Sequence, residues 1–204
     1  IEAHSQSSRG LWLKVAGGAK GEVLRSAILG RAPQHDEIAL EFGLFVGYTA
    51  MQLAHHSRPH AARSTALTIN CPQLISLELD PIHACIARHM VNLAALAVKA
   101  ESLIGHAKDT LPAIEEMCSA RGNGFAFMDQ RGTLFHEDLH YLESLQLSAC
   151  VAQLAADNTL KPGAPVFLWH LKHSTAYDAV AWALSEFQTD VIEDYVVTAR
   201  SALP

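Results

Sequence analysis

The chain has 204 residues, of which 50% are hydrophobic and 18% are charged, and its formal net charge is −6 at pH 7. This composition is typical of a globular protein rather than a disordered chain, and the length favours one domain, 1–204, with a full core. The scattered basic residues argue against a nucleic-acid partner, and the lack of an uninterrupted apolar run of about 18 residues argues against a transmembrane segment.

The four cysteines show no CxxC spacing, and the twelve histidines show no HExxH pattern. Reduced, mostly buried thiols are therefore expected, which favours an intracellular, soluble protein, with an organellar location after processing as a further option. The first residue is Ile1 rather than Met, so we expect a processed product or a piece of a longer polypeptide.

Short apolar stretches alternate with amphipathic stretches along the chain. The predicted helices are residues 21–30, 49–55, a helix that starts at Asp80-Pro81, 110–121, 139–157 and 174–186. The predicted strands are residues 37–42, 74–79, 101–105, 124–128 and 164–169, with a β-rich tail at 189–197. Residues 1–20 form a lead-in and residues 56–73 an inserted connection. This alternation predicts the α/β class, with a mostly parallel twisted sheet and helices on both faces.

The helix that starts at Asp80-Pro81 has proline in its first turn, where it is well tolerated. Its predicted buried stripe consists of Ile82, Cys85, Ile86, His89, Met90 and Leu93.

Ligands of open parallel sheets bind beyond the carboxyl ends of the strands. Gly43 and Gly47 flank a loop at the end of the first predicted strand, where glycine lets the backbone approach a ligand closely. The loop is not G-x-G-x-x-G, so a dinucleotide is disfavoured. Glu78 ends the second predicted strand, where a carboxylate can accept hydrogen bonds from ribose hydroxyls. Together these features suit a nucleoside without a pyrophosphate, such as S-adenosylmethionine (SAM).

Six motifs in chain order resemble those of the catechol O-methyltransferase family of SAM-dependent enzymes. They are Gly17-Gly-Ala-Lys-Gly21, Glu41-Phe-Gly-Leu-Phe-Val-Gly-Tyr-Thr-Ala50, Leu77-Glu-Leu-Asp-Pro81, Gly105-His-Ala-Lys-Asp-Thr-Leu-Pro112, Phe127-Met-Asp129 and Leu160-Lys-Pro-Gly163. The resemblance runs from about residue 14 to about residue 190. It implies a Rossmann-like class I methyltransferase fold and methyl transfer from SAM to a small hydroxylated acceptor.

The resemblance also implies a cofactor pocket. Gly43, Tyr48 and Thr49 would line the methionine part of SAM and Glu78 would hold the ribose. The adenine would lie against Leu79, His106 and Ala107, with Gln130 and Arg131 closing the pocket. The full expected set is Ala16, Glu41, Gly43, Gly47, Tyr48, Thr49, Glu78, Leu79, Gly105, His106, Ala107, Asp129, Gln130 and Arg131. A serine and a glutamine of the family are replaced along residues 106–108.

The metal site of the family is not matched in this interpretation. Family enzymes bind Mg²⁺ with an Asp that ends the fourth strand and an Asp-Asn pair that ends the fifth, and a lysine three residues after the first Asp takes the acceptor's proton. Asp129 fits the first position, but Gly132 stands where the lysine belongs. Counting from Gly163 places the pair on Trp169 and His170, so neither a metal site nor Mg²⁺ is expected.

Two functional hypotheses follow. In the first, the protein is a methyltransferase in which His170 acts as general base and Asp129 orients it, with His173 and Glu193 as further candidates. In the second, the domain has lost catalysis and is a pseudoenzyme that scaffolds a larger complex through a protein partner. The simpler alternatives are that both histidines are hydrogen-bonded strand-end residues and that Asp129 is a helix cap or loop acid. The C-terminal antiparallel hairpin of the fold is expected to be shortened, which favours the second hypothesis.

Overall fold

The computed structural model describes residues 3, 14–30, 37–56, 73–117, 122–145, 148–186 and 189–202. Most of the predicted lead-in and residues 57–72 of the predicted connection lie outside the described residues. Within the described part, no helix is long and apolar enough to cross a membrane.

The helices and strands alternate as the α/β class requires. The helices are α1 (Gly18–Leu29), α2 (Tyr48–His56), α3 (Pro81–Leu93), α4 (Ala107–Met117), α5 (Phe135–Ser144) and α6 (Pro165–His173). The strands are β1 (Glu37–Phe42), β2 (Leu74–Glu78), β3 (Ala100–Ile104), β4 (Gly122–Met128), β5 (Ser148–Ala156), β6 (Tyr177–Glu186) and β7 (Thr189–Ser201).

These strands form one sheet in the order β3-β2-β1-β4-β5-β7-β6. Strands β1 to β5 run parallel, and β7 pairs antiparallel with both β5 and β6. The chain winds outward from β1 to β3 and then returns to place β4 on the other side of β1. This reversal is the topological switch point at which α/β proteins bind ligands. The predicted Rossmann-like class I fold is confirmed.

The sheet is covered by two hydrophobic clusters. One packs α4, α5 and α6 against the sheet and includes Leu111, Phe135 and Phe167. The other packs α1, α2 and α3 and includes Leu24 and Leu53. Both faces of the central strands are therefore buried, which explains why β1 carries a nearly continuous apolar run instead of alternating residues.

The prediction was wrong between residues 139 and 186. Helix α5 ends at Ser144, and the stretch predicted as its continuation is β5. The predicted strand at 164–169 is helix α6, and the predicted helix at 174–186 is β6. The β5 sequence is rich in alanine, which favours helix locally. Pairing with β4 on one side and β7 on the other overrides that preference.

The C-terminal hairpin is not shortened, contrary to expectation. Its strands have 10 and 13 residues and pair from Tyr177↔Ser201 to Glu186↔Thr189. The prediction failed because β6 was read as a helix, which left the tail without a partner strand.

Helix α3 begins as predicted, since the Asp80 carboxylate accepts hydrogen bonds from the backbone N–H groups of Ile82 and His83. Its predicted buried stripe is wrong: Ile82, Ile86 and Leu93 are exposed, as is the free thiol of Cys85. Alanine and valine fill the buried face instead, with Ala84, Ala87 and Val91 against the sheet. Small residues let the helix approach closely, which the apolar pattern alone did not show.

Strand β1 carries one fully buried acid, Glu41. Its Oε2 accepts a hydrogen bond from the Ser76 hydroxyl of β2, and Oε1 has no partner among the described residues. Burial raises the pKa of Glu41 to about 8, because the charged form loses its hydration. The folded protein therefore holds a proton that the unfolded chain releases between about pH 4.5 and pH 8. The contribution of Glu41 to stability therefore falls as pH rises through this window.

The replacement Glu41→Gln removes this ionisation while preserving the size of the side chain. We expect the free energy of unfolding of the variant to exceed that of the wild type at pH 9 by a few kcal/mol, since one pKa unit corresponds to about 1.4 kcal/mol. Below pH 4.5 the advantage should vanish. Urea unfolding across pH 4–9 measures both values. Replacing the exposed Glu101 with Gln is the matched control. If the free energies of unfolding of Glu41→Gln and the wild type change with pH in parallel, Glu41 does not have a raised pKa in the folded protein.

Candidate functional site

The carboxyl ends of the parallel strands open into a cavity of about 810 Å³. This size lies within the range of about 300–1,000 Å³ typical of small-molecule sites. Residues of the predicted site that line it are Gly43, Glu78, Leu79, Gly105, His106, Ala107, Asp129, Gln130 and Arg131. The cavity thus coincides with the topological switch point at which the sequence predicted a ligand.

Five residues of the predicted site do not line this cavity. Ala16 is buried in the core, where the neighbouring Val15 reaches the cavity instead. The Glu41 side chain instead contacts the Ser76 hydroxyl on the neighbouring strand β2. A Cβ on Gly47 would lie 3.0 Å from the Ala87 side chain, so this glycine serves helix packing. Tyr48 accepts a hydrogen bond from Gln52 at its hydroxyl, and Thr49 is buried in α2. The cofactor role of these five residues stays a prediction.

Glu78 is held rigidly at the end of β2. Its Oε2 accepts a hydrogen bond from the Phe45 N–H (2.7 Å), and its Oε1 accepts from the N–H groups of Leu79 and Asp80 (both 2.9 Å). These three backbone donors fix the carboxylate, and Glu78 lines the cavity. A carboxylate oxygen accepts more than one hydrogen bond, so the group retains capacity for a ligand hydroxyl.

The β1 and β4 loops touch at Gly43. A Cβ there would lie 2.7 Å from the Asp129 carbonyl oxygen, and the residue has φ +96°. Glycine is required on both counts, by the close approach and by the left-handed backbone. The contact holds the β4 loop against the end of β1, which positions Asp129 and Gln130.

The opposite wall of the cavity comes from α5. Gln130 Nε2 donates a hydrogen bond to Asp138 Oδ2 at 2.7 Å. Burial raises the pKa of Asp138 to about 6, although the Gln130 hydrogen bond opposes this shift. Tyr141 also lines this wall and is partly exposed. Asp138 was not predicted because the helix was expected to begin only at residue 139, and Tyr141 was given no role although it lies within the predicted helix.

Two acids end neighbouring strands in this cavity. The Asp129 N–H donates to the Phe42 carbonyl (2.8 Å), and the Asp157 N–H donates to the Met128 carbonyl (2.9 Å), so each residue continues the sheet by one step. Asn158 follows and also lines the cavity. Burial and the negative charge of Asp157 raise the pKa of Asp129 well above its usual value. Two carboxylates that repel each other in a buried site favour a cation between them.

The Asp-Asn pair that the resemblance requires is therefore present at the end of the fifth strand. It is Asp157-Asn158, not Trp169-His170, because the fifth strand is β5. The signal was visible in the sequence as an Asp-Asn dipeptide directly after the apolar run 150–156. Counting from Gly163 on the assumption of a strand at 164–169 displaced the pair by twelve residues.

His170 lies outside this cavity, on α6. Its Nε2 is 3.6 Å from Glu143 Oε1, and Glu143 accepts a hydrogen bond from the Tyr177 hydroxyl. His173 stacks on Trp169, with ring centroids 4.7 Å apart. Glu193 is exposed on β7. The residues that line the described cavity include none of the predicted base candidates, so the structure does not bring His170 together with Asp129.

No side chain can replace the missing lysine at Gly132. A Cβ at this position would lie 2.5 Å from the Gly163 carbonyl oxygen, because the loops after β4 and β5 pack directly together. A different cationic side chain, Lys14, lines the cavity from the segment before α1. Its charge lowers the pKa of Asp129, so the two side chains are close enough to interact electrostatically.

The residues present suit a hard divalent cation. Two carboxylates and one amide offer oxygen donors, which Mg²⁺ and Mn²⁺ prefer. The Asn158 amide nitrogen donates to Asp194 at 2.6 Å, and Asn158 lines the cavity. The described residues contain no cluster of three or more His, Cys, Asp or Glu suited to a metal. The set found here has two acids and an amide, and water would have to supply the other ligands.

Relatives of known activity match the chain over most of its length, although no protein-family model matches. Catechol O-methyltransferase from Mus musculus is 27% identical over 172 residues, covering 84% of this chain and 60% of that protein. The enzyme from Sus scrofa is 28% identical over 156 residues, covering 76% of each. The chain thus spans less than two thirds of the mouse protein.

Solved structures agree on the fold. An O-methyltransferase from Bacillus cereus in complex with SAH has a TM-score of 0.74 at 19% identity, covering 98% of this chain and 88% of the other. An O-methyltransferase from Streptomyces achromogenes involved in tomaymycin synthesis, in complex with SAM, has a TM-score of 0.76 at 20% identity, covering 98% and 87%. The resemblance to the catechol O-methyltransferase family that the motifs indicated is thus confirmed, on a class I methyltransferase fold.

Proposed function

We propose that the protein transfers the methyl group of SAM to a hydroxyl of a small acceptor, at a site that also binds a divalent cation. One observation carries this proposal: a single cavity at the switch point contains Glu78 on one side and Asp129, Asp157 and Asn158 on the other. The relatives named catechol O-methyltransferase and the neighbours bound to SAM or SAH support it.

SAM would lie across the ends of β1 and β2. Glu78 would accept hydrogen bonds from the ribose hydroxyls, since backbone donors already hold its carboxylate in place. Leu79, His106 and Ala107 would border the adenine, and Gln130, held by Asp138, would close the pocket. SAM supplies a sulfonium methyl group that an oxygen nucleophile can attack.

The acceptor would lie beside the acids at the ends of β4 and β5. Asp129, Asp157 and the Asn158 amide oxygen would hold the cation, which lowers the pKa of a bound hydroxyl and orients it. Holding acceptor and methyl group in line accounts for much of the acceleration available to such a reaction. The expectation that Mg²⁺ is not needed depended on a strand placement that was wrong, and the scaffolding hypothesis depended on the same placement.

Lys14 is the residue that we propose to contact the acceptor oxygen. Methyl transfer would form the oxygen–carbon bond and break the carbon–sulfur bond, with S-adenosylhomocysteine as the leaving group. The hydroxyl proton, whose pKa the cation would lower, would pass to solvent water. Negative charge therefore builds on the oxygen before it attacks. A cationic side chain beside that oxygen stabilises the charge where Gly132 cannot supply one.

SAM binding tests the assignment of Glu78. Replacing Glu78 with Gln keeps the shape but removes the charge and one acceptor, so we expect SAM affinity to fall at least tenfold in calorimetric titration. The control Glu101→Gln, on the edge strand β3, should bind SAM as the wild type does. If Glu78→Gln and the wild type bind SAM with equal affinity, Glu78 does not bind the ribose.

Methyl transfer tests the function directly. With radiolabelled SAM, Mg²⁺ and catechol as the first acceptor, we expect a methylated product whose formation stops on addition of EDTA. Asp129→Asn should lower kcat/KM at least 100-fold while SAM affinity without Mg²⁺ changes less than threefold. A rate that is indifferent to EDTA and to Asp129→Asn would refute the cation-dependent mechanism. No transfer to catechol or to a panel of phenols would refute the acceptor class.

The role of Lys14 is tested by two variants. Lys14→Met should lower kcat with the same acceptor at least tenfold, because the developing charge on oxygen loses its partner. Lys14→Arg keeps the charge and should retain more activity than Lys14→Met. SAM affinity should stay within threefold of the wild type in both. If Lys14→Met is as active as the wild type, Lys14 does not contact the reacting oxygen.

A further inference from the structure

Two charged residues with no place in the cavity lining lie behind the Asp157-Asn158 pair. Lys20 of α1 and Asp194 of β7 are 1% and 0% exposed. The Lys20 Nζ lies 2.7 Å from Asp157 Oδ1 and 3.2 Å from Asp194 Oδ2. A buried lysine between two buried carboxylates joins α1, the end of β5 and β7, which are distant in sequence. Burying these charges is unfavourable unless each is paired, so their positions are strongly constrained.

Asp194 also binds the loop that follows β5 through hydrogen bonds. Its Oδ1 accepts hydrogen bonds from the N–H groups of Leu160 (3.2 Å), Lys161 (3.0 Å) and Tyr195 (2.8 Å). Its Oδ2 accepts a hydrogen bond from Asn158 Nδ2 at 2.6 Å. Each of these partners is a donor, and the Lys20 Nζ lies beside Oδ2, so both oxygens of Asp194 act as acceptors.

The contact with Asn158 has a directional consequence. An amide presents an oxygen on one side and a hydrogen-bond donor on the other, and a half-turn exchanges them. The Asp194 carboxylate, held between Lys20 and these N–H donors, accepts hydrogen bonds and does not donate them. Asp194 therefore selects the orientation in which the Asn158 nitrogen faces β7 and the amide oxygen turns away from Asp194. The backbone of Asn158 is left-handed, with φ +55°, which holds the side chain at this turn.

We infer that Asp194, neutralised by Lys20, is a positioning residue that orients the amide oxygen of Asn158 and the carboxylate of Asp157 toward the cation site. This inference depends on the proposed function, because it concerns the ligands of the proposed cation. Groups of this kind, one step behind metal ligands, typically change metal affinity by about 10–100-fold when they are replaced.

Mn²⁺ binding to the full chain, followed by electron paramagnetic resonance, tests the inference without any turnover. Asp194→Asn removes the charge that selects the amide orientation, and we expect Mn²⁺ affinity to fall at least tenfold while SAM affinity stays within threefold. Thr159→Val is the matched control, because the Thr159 hydroxyl joins the same loop to β7 by donating to the Tyr195 carbonyl at 2.9 Å. It should bind Mn²⁺ as the wild type does.

A charge swap tests whether Asp194 acts by orienting the Asn158 amide or only by stabilising the fold. In the double variant Asn158→Asp with Asp194→Asn, the residue at 158 is a carboxylate whose two oxygens are equivalent, so no orientation needs to be selected. The net charge around Lys20 also stays that of the wild type. The carboxylate at 158 also attracts Mn²⁺ by its charge, so the reference for the swap is Asn158→Asp alone. We expect Asp194→Asn to lower Mn²⁺ affinity at least threefold less in the Asn158→Asp background than in the wild type. Equal losses in the two backgrounds would show a purely structural role of Asp194.

The outcomes are distinct. A wild type that binds no Mn²⁺ overturns the proposed cation site and this inference with it. A wild type that binds Mn²⁺ with unchanged affinity in folded Asp194→Asn overturns the inference alone. If Asp194→Asn alone does not fold, the swap and Asn158→Asp carry the comparison. A swap that binds Mn²⁺ at least tenfold more weakly than Asn158→Asp counts against the inference.

Discussion

The buried ion pairs of Lys20 with Asp157 and Asp194 are the interaction on which the geometry of the cavity depends. They connect the start of the first helix, the end of the central strand β5 and the last strand of the sheet. Removing one partner of such a cluster leaves a charge in the core, which typically costs about 3–5 kcal/mol. The cluster thus couples the stability of the fold to the placement of the acids that face the cavity.

Close backbone contacts complete this arrangement. Gly43 lets the β1 loop touch the β4 loop, and Gly132 lets the β4 loop touch the β5 loop. A Cβ at either position would overlap a carbonyl oxygen. The three loops therefore form one layer over the strand ends, and the same packing excludes a lysine at residue 132. A cationic side chain for the proposed methyl transfer has to come from outside this layer. Lys14 reaches the cavity from the segment before α1.

The N-terminal half of the fold was predictable because local and tertiary signals agree there. β1 was predicted at its observed bounds, and Glu78 and Asp129 were placed at strand ends because each follows a short apolar run bounded by turn residues. Beyond residue 139 these signals conflict. The alanines of β5 favour helix, while the buried positions between β4 and β7 require a strand. Proline at residue 165 begins α6, whereas the apolar run that follows suggested a strand.

The misplacement of β5 accounts for the wrong position of the predicted Asp-Asn pair. With β5 read as helix, the Asp-Asn pair was sought twelve residues too late, and His170 took the role of base. Contacts between distant residues, such as Lys20 with Asp194, leave no local trace in a single sequence. The family motifs placed much of the proposed cofactor side of the cavity, which is built from the loops they cover. The proposed acceptor side depends on residues brought together from both ends of the chain.

A crystal structure of the protein with S-adenosylhomocysteine and Mg²⁺ would show whether the strand ends bind both ligands together. We expect a cation ligated by Asp129, Asp157 and the Asn158 amide oxygen, with the ribose hydroxyls on Glu78 and the Asn158 nitrogen on Asp194. A nucleoside bound at the strand ends with no cation at these acids, under millimolar Mg²⁺, would contradict this expectation.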